Sequence, residues 1–342
     1  MSFDDREDNM SNVFNEDNRS IIIKTCSFLA KKTKDRLEKS LSLPKNTNLE
    51  EYLKKDLEKS DLKNLIIKIE NFEYDLNYSY NFLFKINDFE EIKNLIKSDS
   101  FLKGKINNKE TDYLSTKIEY PTLKYEDSNG SNIFFKFSKI IISEKRKIKL
   151  PCILFLNFTD KYVQLKIRRV PNNFQLNNPK IYSEIVEDIK VWFYNTFNIK
   201  LESKDIFLNA VEIFKNSFYG KDNLKTFISP ESFNCNDPQN GLIRMRTNEK
   251  NLMPILSELK DMASRFKDQE DQIELTNYLD NLIKNVDYYK IKLNYKINEK
   301  KITLEFTRKY ENNDDTLIYF EVNSLSNKEK DDVIKFFINY KK

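Results

Sequence analysis

The sequence of 342 residues contains no histidine, only four glycines and only three cysteines. Without histidine there is no imidazole to serve as a general base, as part of a Ser-His-Asp or Cys-His site, or as a metal ligand. The glycines (Gly104, Gly130, Gly220 and Gly241) are isolated, so the chain has neither a phosphate-binding loop nor a GxGxxG dinucleotide turn. These absences exclude most of the common catalytic motifs.

The cysteines predict no disulfide framework and no cysteine zinc site, because Cys26, Cys152 and Cys235 are odd in number and far apart. The N-terminus is acidic and lacks the apolar core of a targeting peptide. No apolar run approaches the length of a membrane span. We therefore expect a cytoplasmic protein with free thiols, no cofactor and no membrane contact.

What the sequence has in quantity is charge and aromatic residues. Charged residues make up 33% of the chain and hydrophobic residues 39%, with 26 Phe and 18 Tyr, which is enough apolar material for a sizeable core. Lysine outnumbers arginine 48 to 10, and this bias is typical of an AT-rich coding sequence. A chain of this length exceeds the usual size of a single core, so we expect two or three subdomains.

The order of the patterned segments predicts an α+β fold, in which an antiparallel central sheet is packed by helices. A helical N-terminal region precedes this sheet, and a smaller C-terminal α+β unit follows it. A polar stretch containing two prolines, SPESFNCNDPQNG, is typical of a linker. The predicted boundaries are 1–18 for an acidic flexible tail, 19–112 for the helical and mixed N-terminal region, 113–228 for the central sheet and its helices, 229–241 for the linker and 242–342 for the C-terminal unit.

Individual strands and helices follow from apolar periodicity. Residues 65–75 and 80–87 (LIIKIENFEYD and YNFLFKIN) predict two strands around a polar turn. Four further runs, TKIEYPTLKYE, SNIFFKFSKIII, KIKLPCILFLNF and KYVQLKIRRV, are joined by short connections and favour an antiparallel meander. The helix after them carries an apolar stripe that includes Trp192, and we expect this stripe to cover one face of the sheet.

Positive charge is concentrated in this central sheet. Residues 136–169 contain ten bases and two acids, a net charge of +8, whereas the whole chain carries +4. Strand alternation places Tyr162, Lys166 and Arg168 opposite the apolar residues of their strand, so we expect an exposed cationic face able to bind phosphates and to stack a base. The candidate nucleic-acid-binding residues are Lys136, Arg146, Lys147, Tyr162, Lys166, Arg168 and Arg169.

Several readings of this pattern stay open. Outward sheet faces are normally charged, so a solvated surface without a partner is one of them. The favoured hypothesis is a non-enzymatic binding or assembly protein that contacts nucleic acid or an acidic protein. A divalent-metal nuclease is the catalytic alternative, since Glu202-Ser203-Lys204 and Glu91-Ile92-Lys93 match the Glu-x-Lys pattern of such sites. A protein-directed inhibitor or scaffold of phage or mobile-element origin fits the composition but depends on no particular residue.

Overall fold

The computed structural model describes most of the chain, as α+β units built on antiparallel sheets. The described residues are 16–27, 29, 31–43, 48–54, 59–98, 105–106, 114–125, 132–144, 146–219, 228–237, 241–247, 254–266, 268–284, 287–297, 300–308, 314–321 and 325–340. The chain divides between Ser203 and Lys204 into two compact units, called unit 1 and unit 2 below.

Unit 1 begins with helices and continues with a sheet. Its helices are α1 (Glu16–Ser27), α2 (Lys31–Ser40), α3 (Leu49–Lys54), α4 (Lys59–Glu73), α5 (Phe89–Lys97), α6 (Asn172–Asn177) and α7 (Ile181–Phe197). Its strands are β1 (Tyr80–Lys85), β2 (Thr122–Tyr125), β3 (Asn132–Ser143), β4 (Arg146–Asn157), β5 (Tyr162–Ile167) and β6 (Glu202–Ser203). A predicted acidic tail falls mostly on residues 1–15, which lie outside the described residues, and Glu16 already belongs to α1.

The unit 1 sheet has the order β2-β3-β4-β5-β1, and the short β6 pairs with β1. All of these pairs are antiparallel. The β3–β4 hairpin is the longest, with twelve residue pairs from Asn132 opposite Asn157 to Ser143 opposite Arg146. The expected meander is therefore confirmed, because strand alternation and short turns are strong local signals.

One face of this sheet packs against α7, as the apolar stripe predicts. The indole ring of Trp192 lies 5.3 Å from the ring of Phe135 and 4.8 Å from that of Phe137, centroid to centroid. Tyr182 stacks on Tyr80 of β1 at 4.2 Å. Trp192 is thus a core anchor of unit 1.

The opposite face is covered as well, by α1 and α4. The backbone N–H of Lys149 in β4 donates to the hydroxyl of Thr25 in α1, and the carboxylate of Glu73 in α4 contacts lysines of β3 and β4. Residues 65–73 of the segment predicted as a strand belong to helix α4, so that prediction is wrong. The error matters because α4 covers the sheet face that we expected to be exposed.

Unit 2 combines an antiparallel sheet with helices, at least two of which pack on its apolar face. Its strands are β7 (Ile228–Asp237), β8 (Gly241–Arg246), β9 (Asp287–Ile297), β10 (Lys300–Thr307) and β11 (Leu317–Phe320), in the order β11-β10-β9-β7-β8. Its helices are α8 (Phe207–Tyr219), α9 (Pro254–Ala263), α10 (Gln269–Lys284) and α11 (Asn327–Asn339). Phe337 of α11 packs on Phe306, and Phe214 of α8 packs on Phe233.

The stretch interpreted as a linker holds strands instead. Residues 229–237 belong to β7, which pairs with β9 on one side and β8 on the other, and Gly241 begins β8. A shift in strand register between Pro230 and Ser232 accommodates the proline, which cannot donate a ladder hydrogen bond. The domain boundaries inferred from the sequence stay predictions. Of the helices in the described ranges, none combines the length and the apolar character that crossing a membrane requires.

Candidate nucleic-acid interface

All seven candidate residues belong to unit 1, and three of them are buried. Lys136 is 1% exposed, Tyr162 0% and Lys166 3%. The expectation that they form an exposed cationic face is wrong, because all three side chains are buried, and α1 and α4 contact this side of the sheet at Lys149 and Lys136. A charged group that leaves water must be paired or hydrogen-bonded, so these lysines serve contacts within the fold.

Lys136 is held by α4. Its ammonium donates to the carboxylate of Glu73 at 3.0 Å and to the backbone carbonyl of Glu70 at 2.7 Å. Lys149 of β4 donates to the same Glu73 carboxylate at 2.7 Å, and its ammonium lies 3.6 Å from the carboxylate of Glu70. The four side chains form a buried ion group, which joins α4 to the central strands.

Lys166 and Tyr162 surround an aromatic ring on the same face of the sheet. The ammonium of Lys166 lies 4.6 Å from the centre of the Phe155 ring, which is a cation–π distance. The ring of Tyr162 meets Phe155 edge-on at 6.0 Å. Strand alternation therefore identified the correct face of β5, but that face is buried.

Arg168 borders the buried ion group and is half-buried. Burial lowers the pKa of its guanidinium, while the negative charges of ionised Tyr78, of Glu73 and of ionised Cys26 act in the opposite direction. Lys149, Arg168, Glu70 and Glu73 line a cavity of about 20 Å³, with room for little more than a water molecule. Such a cavity is too small for a nucleotide or an organic substrate.

The two thiols that the structure describes are inert. Cys26 and Cys152 are buried and free, as expected of core cysteines in a chain without disulfides. Burial, reinforced by the charge of Glu73, raises the pKa of Cys26 to about 12, so its thiol stays protonated at neutral pH.

The remaining candidates, Arg146, Lys147 and Arg169, are exposed. Arg146 and Lys147 begin β4 at the tip of the β3–β4 hairpin, opposite Ser143 and Ile142. Ser143 anchors this tip to α6, because its hydroxyl accepts a hydrogen bond from the side chain of Asn177. Arg169 follows β5, which ends opposite Cys152 of β4 and therefore runs toward the same end of the sheet.

The arrangement expected of the central sheet, with helices on one face and cations exposed on the other, occurs in unit 2. Alternation along its strands separates the apolar residues that pack on α8 and α11 from a polar face. We call this surface the polar face of unit 2. Its cations are Arg244, Arg246, Lys290, Lys292, Lys296 and Lys301, and its carboxylates are Glu231, Asp287, Glu305 and Glu321.

Two lysines of this face, Lys290 and Lys292, are paired, whereas its arginines are exposed. Lys290 and Lys292 contact Glu305 at 2.6 and 3.3 Å, and Lys292 also pairs with Glu321. Burial tends to lower the pKa of Lys292, but the hydrogen bonds and charges of these two carboxylates outweigh it and raise the pKa.

Arg244 and Arg246 lie on β8, the last strand of the unit 2 sheet, and both are exposed. They face Asn234 and Ser232 of β7, which are also polar. Neither arginine forms an ion pair with another residue in the described ranges. The sequence analysis did not single out either residue. Two arginines separated by a single residue in LIRMRT are nevertheless a visible signal in a chain with only ten arginines.

Two tyrosines border the polar face of unit 2. A shift in strand register between Asn234 and Cys235 turns Tyr289 toward this side, where its hydroxyl accepts a hydrogen bond from the side-chain amide of Asn234 at 3.0 Å. Tyr319 of β11 lies opposite Glu305 and is half-buried. Both rings could stack a base while the neighbouring cations hold phosphates.

The glutamates of the two Glu-x-Lys segments, Glu202 and Glu91, belong to unit 1. Glu202 is in β6 and pairs with Lys85 at 3.1 Å, while Glu91 is in the first turn of α5, where its backbone N–H donates to Asp88. Within the described parts of the chain, no three Cys, Asp or Glu side chains come close enough together to hold a metal ion.

Neither a protein-family model nor a curated protein sequence matches the chain.

Proposed function

We propose that the chain is a binding protein without catalytic activity of its own, and that it holds single-stranded nucleic acid on the polar face of unit 2. The observation that carries the proposal is the combination of a sheet packed by helices on its apolar side with an excess of cations on the opposite side. Six cations and four carboxylates lie on that face, and the two arginines of β8 are exposed.

The chemistry of this face suits a flexible polyanion. The guanidinium group of arginine binds phosphates through bidentate hydrogen bonds. The bases of a single strand can stack on tyrosine rings whatever the nucleotide sequence. A single strand can lie flat across the sheet, because its bases are not paired to a second strand. Binding of this kind depends strongly on salt, since each neutralised phosphate releases counterions.

The test is a double charge reversal, Arg244→Glu with Arg246→Glu, measured by fluorescence anisotropy with a labelled single-stranded oligonucleotide over a salt titration. Affinity should fall at least tenfold at low salt. The slope of log affinity against log salt should shrink by about 1.4, because each lost phosphate contact contributes about 0.7 for single strands.

The matched control reverses the exposed pair at the hairpin tip of unit 1, Arg146→Glu with Lys147→Glu. It removes the same number of positive charges from the chain, so it separates a specific surface from a general charge effect. Loss of binding in this control but not in the Arg244/Arg246 variant would move the interface to unit 1. If the wild-type protein does not bind oligonucleotides but binds an acidic polypeptide, the partner is an acidic protein and not nucleic acid.

The contacts of Glu202 and Glu91 do not support the nuclease alternative. The same experiment tests this alternative. Cleavage of the oligonucleotide in Mg²⁺ or Mn²⁺ that disappears in Glu202→Ala would overturn the non-catalytic part of the proposal. A cytoplasmic location stays a prediction from the sequence.

A further inference from the structure

Helix α9 of unit 2 carries an apolar stripe that faces solvent. Leu259 is 38% exposed, Met262 59% and Phe266 51%. The residues are spaced i, i+3 and i+7, which aligns them on one side of a helix. Phe266 stays in line with the helix because its backbone N–H donates to the carbonyl of Ala263, which adds a tight last turn.

The stripe is not the side on which α9 packs against α10. Lys260 pairs with Asp280 of α10, and Ala263 of α9 and Leu279 of α10 are buried. Three large exposed apolar side chains on one side of a short helix are typical of an interaction surface.

Two exposed charges border the stripe in a self-complementary way. Glu258 and Arg265 are seven residues apart, so they lie in line with each other beside Met262. If two α9 helices cross antiparallel with their two-fold axis at Met262, position 258 of each copy lies beside position 265 of the other. The same operation places Leu259 against Phe266, and Met262 against Met262.

We infer that this surface is a two-fold interface, in which α9 pairs antiparallel with α9 of a second copy of the chain. One patch meets itself in such an isologous contact, so its charges must match under the two-fold rotation. The Glu258 and Arg265 pair satisfies that condition twice in each dimer. The inference does not depend on the proposed nucleic-acid function.

The interface is small, so the dimer should be weak. A contact through one helix stripe lies at the low end of specific protein interfaces, where complexes form and separate readily. We expect a monomer–dimer equilibrium with a dissociation constant on the order of micromolar, not an obligate dimer.

The test is sedimentation velocity of the full chain from low to high micromolar concentration. Glu258→Lys alone should raise the dissociation constant about tenfold or more, because it faces Arg265 of the second copy with a like charge. Arg265→Glu should raise the dissociation constant to a similar extent, because it faces Glu258 of the second copy with a like negative charge. The double variant, Glu258→Lys with Arg265→Glu, should restore association, since the charges are exchanged and the geometry is kept.

Two further variants complete the design. Met262→Glu should abolish the dimer by placing two carboxylates on the axis, whereas Glu270→Lys, an exposed charge on α10, should leave it unchanged. Circular dichroism and melting temperature should match the wild type in every case, because the substituted side chains are exposed. A monomer at all concentrations, a dimer insensitive to Met262→Glu, or no restoration in the double variant would overturn the inference.

Discussion

At the scale of single residues, Glu73 is the side chain on which most of the buried charge of unit 1 depends. Its carboxylate accepts hydrogen bonds from both Lys136 and Lys149, at 3.0 and 2.7 Å. Removing one partner of a buried ion pair leaves the other charge without compensation in a medium of low dielectric constant. The cost of breaking this group therefore exceeds the cost of breaking a surface pair.

We predict that Glu73→Gln lowers the free energy of unfolding of unit 1 by about 3–5 kcal/mol. The matched control is Glu187→Gln on α7, whose carboxylate pairs with Lys190 at the surface. Such a surface pair is worth less than about 1 kcal/mol. Urea unfolding followed by the fluorescence of Trp192, the only tryptophan, measures both variants. Equal losses in the two would contradict the structural role of Glu73.

Lys166 carries a related consequence for the design of binding experiments. Its ammonium lies over the Phe155 ring inside unit 1, so charge reversal there introduces a buried carboxylate. A loss of nucleic-acid binding in such a variant would report unfolding and not a lost phosphate contact. Arg146, Lys147 and Arg169 are the candidates from the same segment that can be reversed without this effect, because they are exposed.

At the scale of helices and strands, the sequence predicts those elements whose structure follows from the residue pattern of their own segment. The meander and helix α7 follow from alternation and from the apolar stripe. The segment around Ile66, Ile67 and Ile69 fits a buried helix as well as a strand, because a short run rich in β-branched residues has no decisive period. Its assignment as α4 depends on packing against β3 and β4, whose residues lie more than sixty positions away.

The candidate site could be predicted only in part for the same reason. Strand alternation correctly places Lys136, Tyr162 and Lys166 on the side opposite α7. It does not show whether another element covers that side, since the partner of Lys136 is Glu73, on a helix that the sequence does not identify. A charge excess along a strand thus indicates a face and not its exposure.

Helix α11 allows a prediction about capping. The hydroxyl of Ser326 accepts a hydrogen bond from the backbone N–H of Glu329, and the Glu329 carboxylate accepts one from the backbone N–H of Ser326. We predict that Ser326→Ala lowers the free energy of unfolding of unit 2 by about 1 kcal/mol, measured by urea unfolding. Asn339→Ala, at the other end of the helix, serves as the control and should have a smaller effect.

The same cap should depend on pH. The backbone N–H of Ser326, followed by the contacts with Lys300 and the Ser326 hydroxyl, lowers the pKa of Glu329. A lowered pKa in the folded state means that the stabilisation is complete above the unfolded value, near 4.3, and is lost as the pH falls through the folded value. The difference in stability between wild type and Glu329→Gln should therefore shrink below about pH 4. A difference that does not change with pH would contradict an ionised cap.

At the scale of the whole molecule, the two units use their charges differently. In unit 1, three lysines of the +8 run, Lys136, Lys149 and Lys166, are buried in ion pairs or against an aromatic ring. In unit 2, the helices that pack on the sheet lie on its apolar side, and arginines remain exposed on the other. The number of sheet faces that helices cover therefore predicts which cations are exposed better than the net charge along the sequence does.

The two proposals together predict a dependence on the length of the nucleic acid. A dimer through α9 presents two polar faces, so a strand that reaches both gains from the high effective concentration of the second face. An oligonucleotide of about 8 nucleotides, within the range of a single binding surface, gains nothing, whereas one of about 40 should bind at least tenfold more tightly. Met262→Glu, which removes the dimer, should abolish this advantage and leave the affinity for the short strand unchanged. Anisotropy titrations with both lengths measure the effect, and an equal loss for the two strands would show that α9 contacts nucleic acid itself.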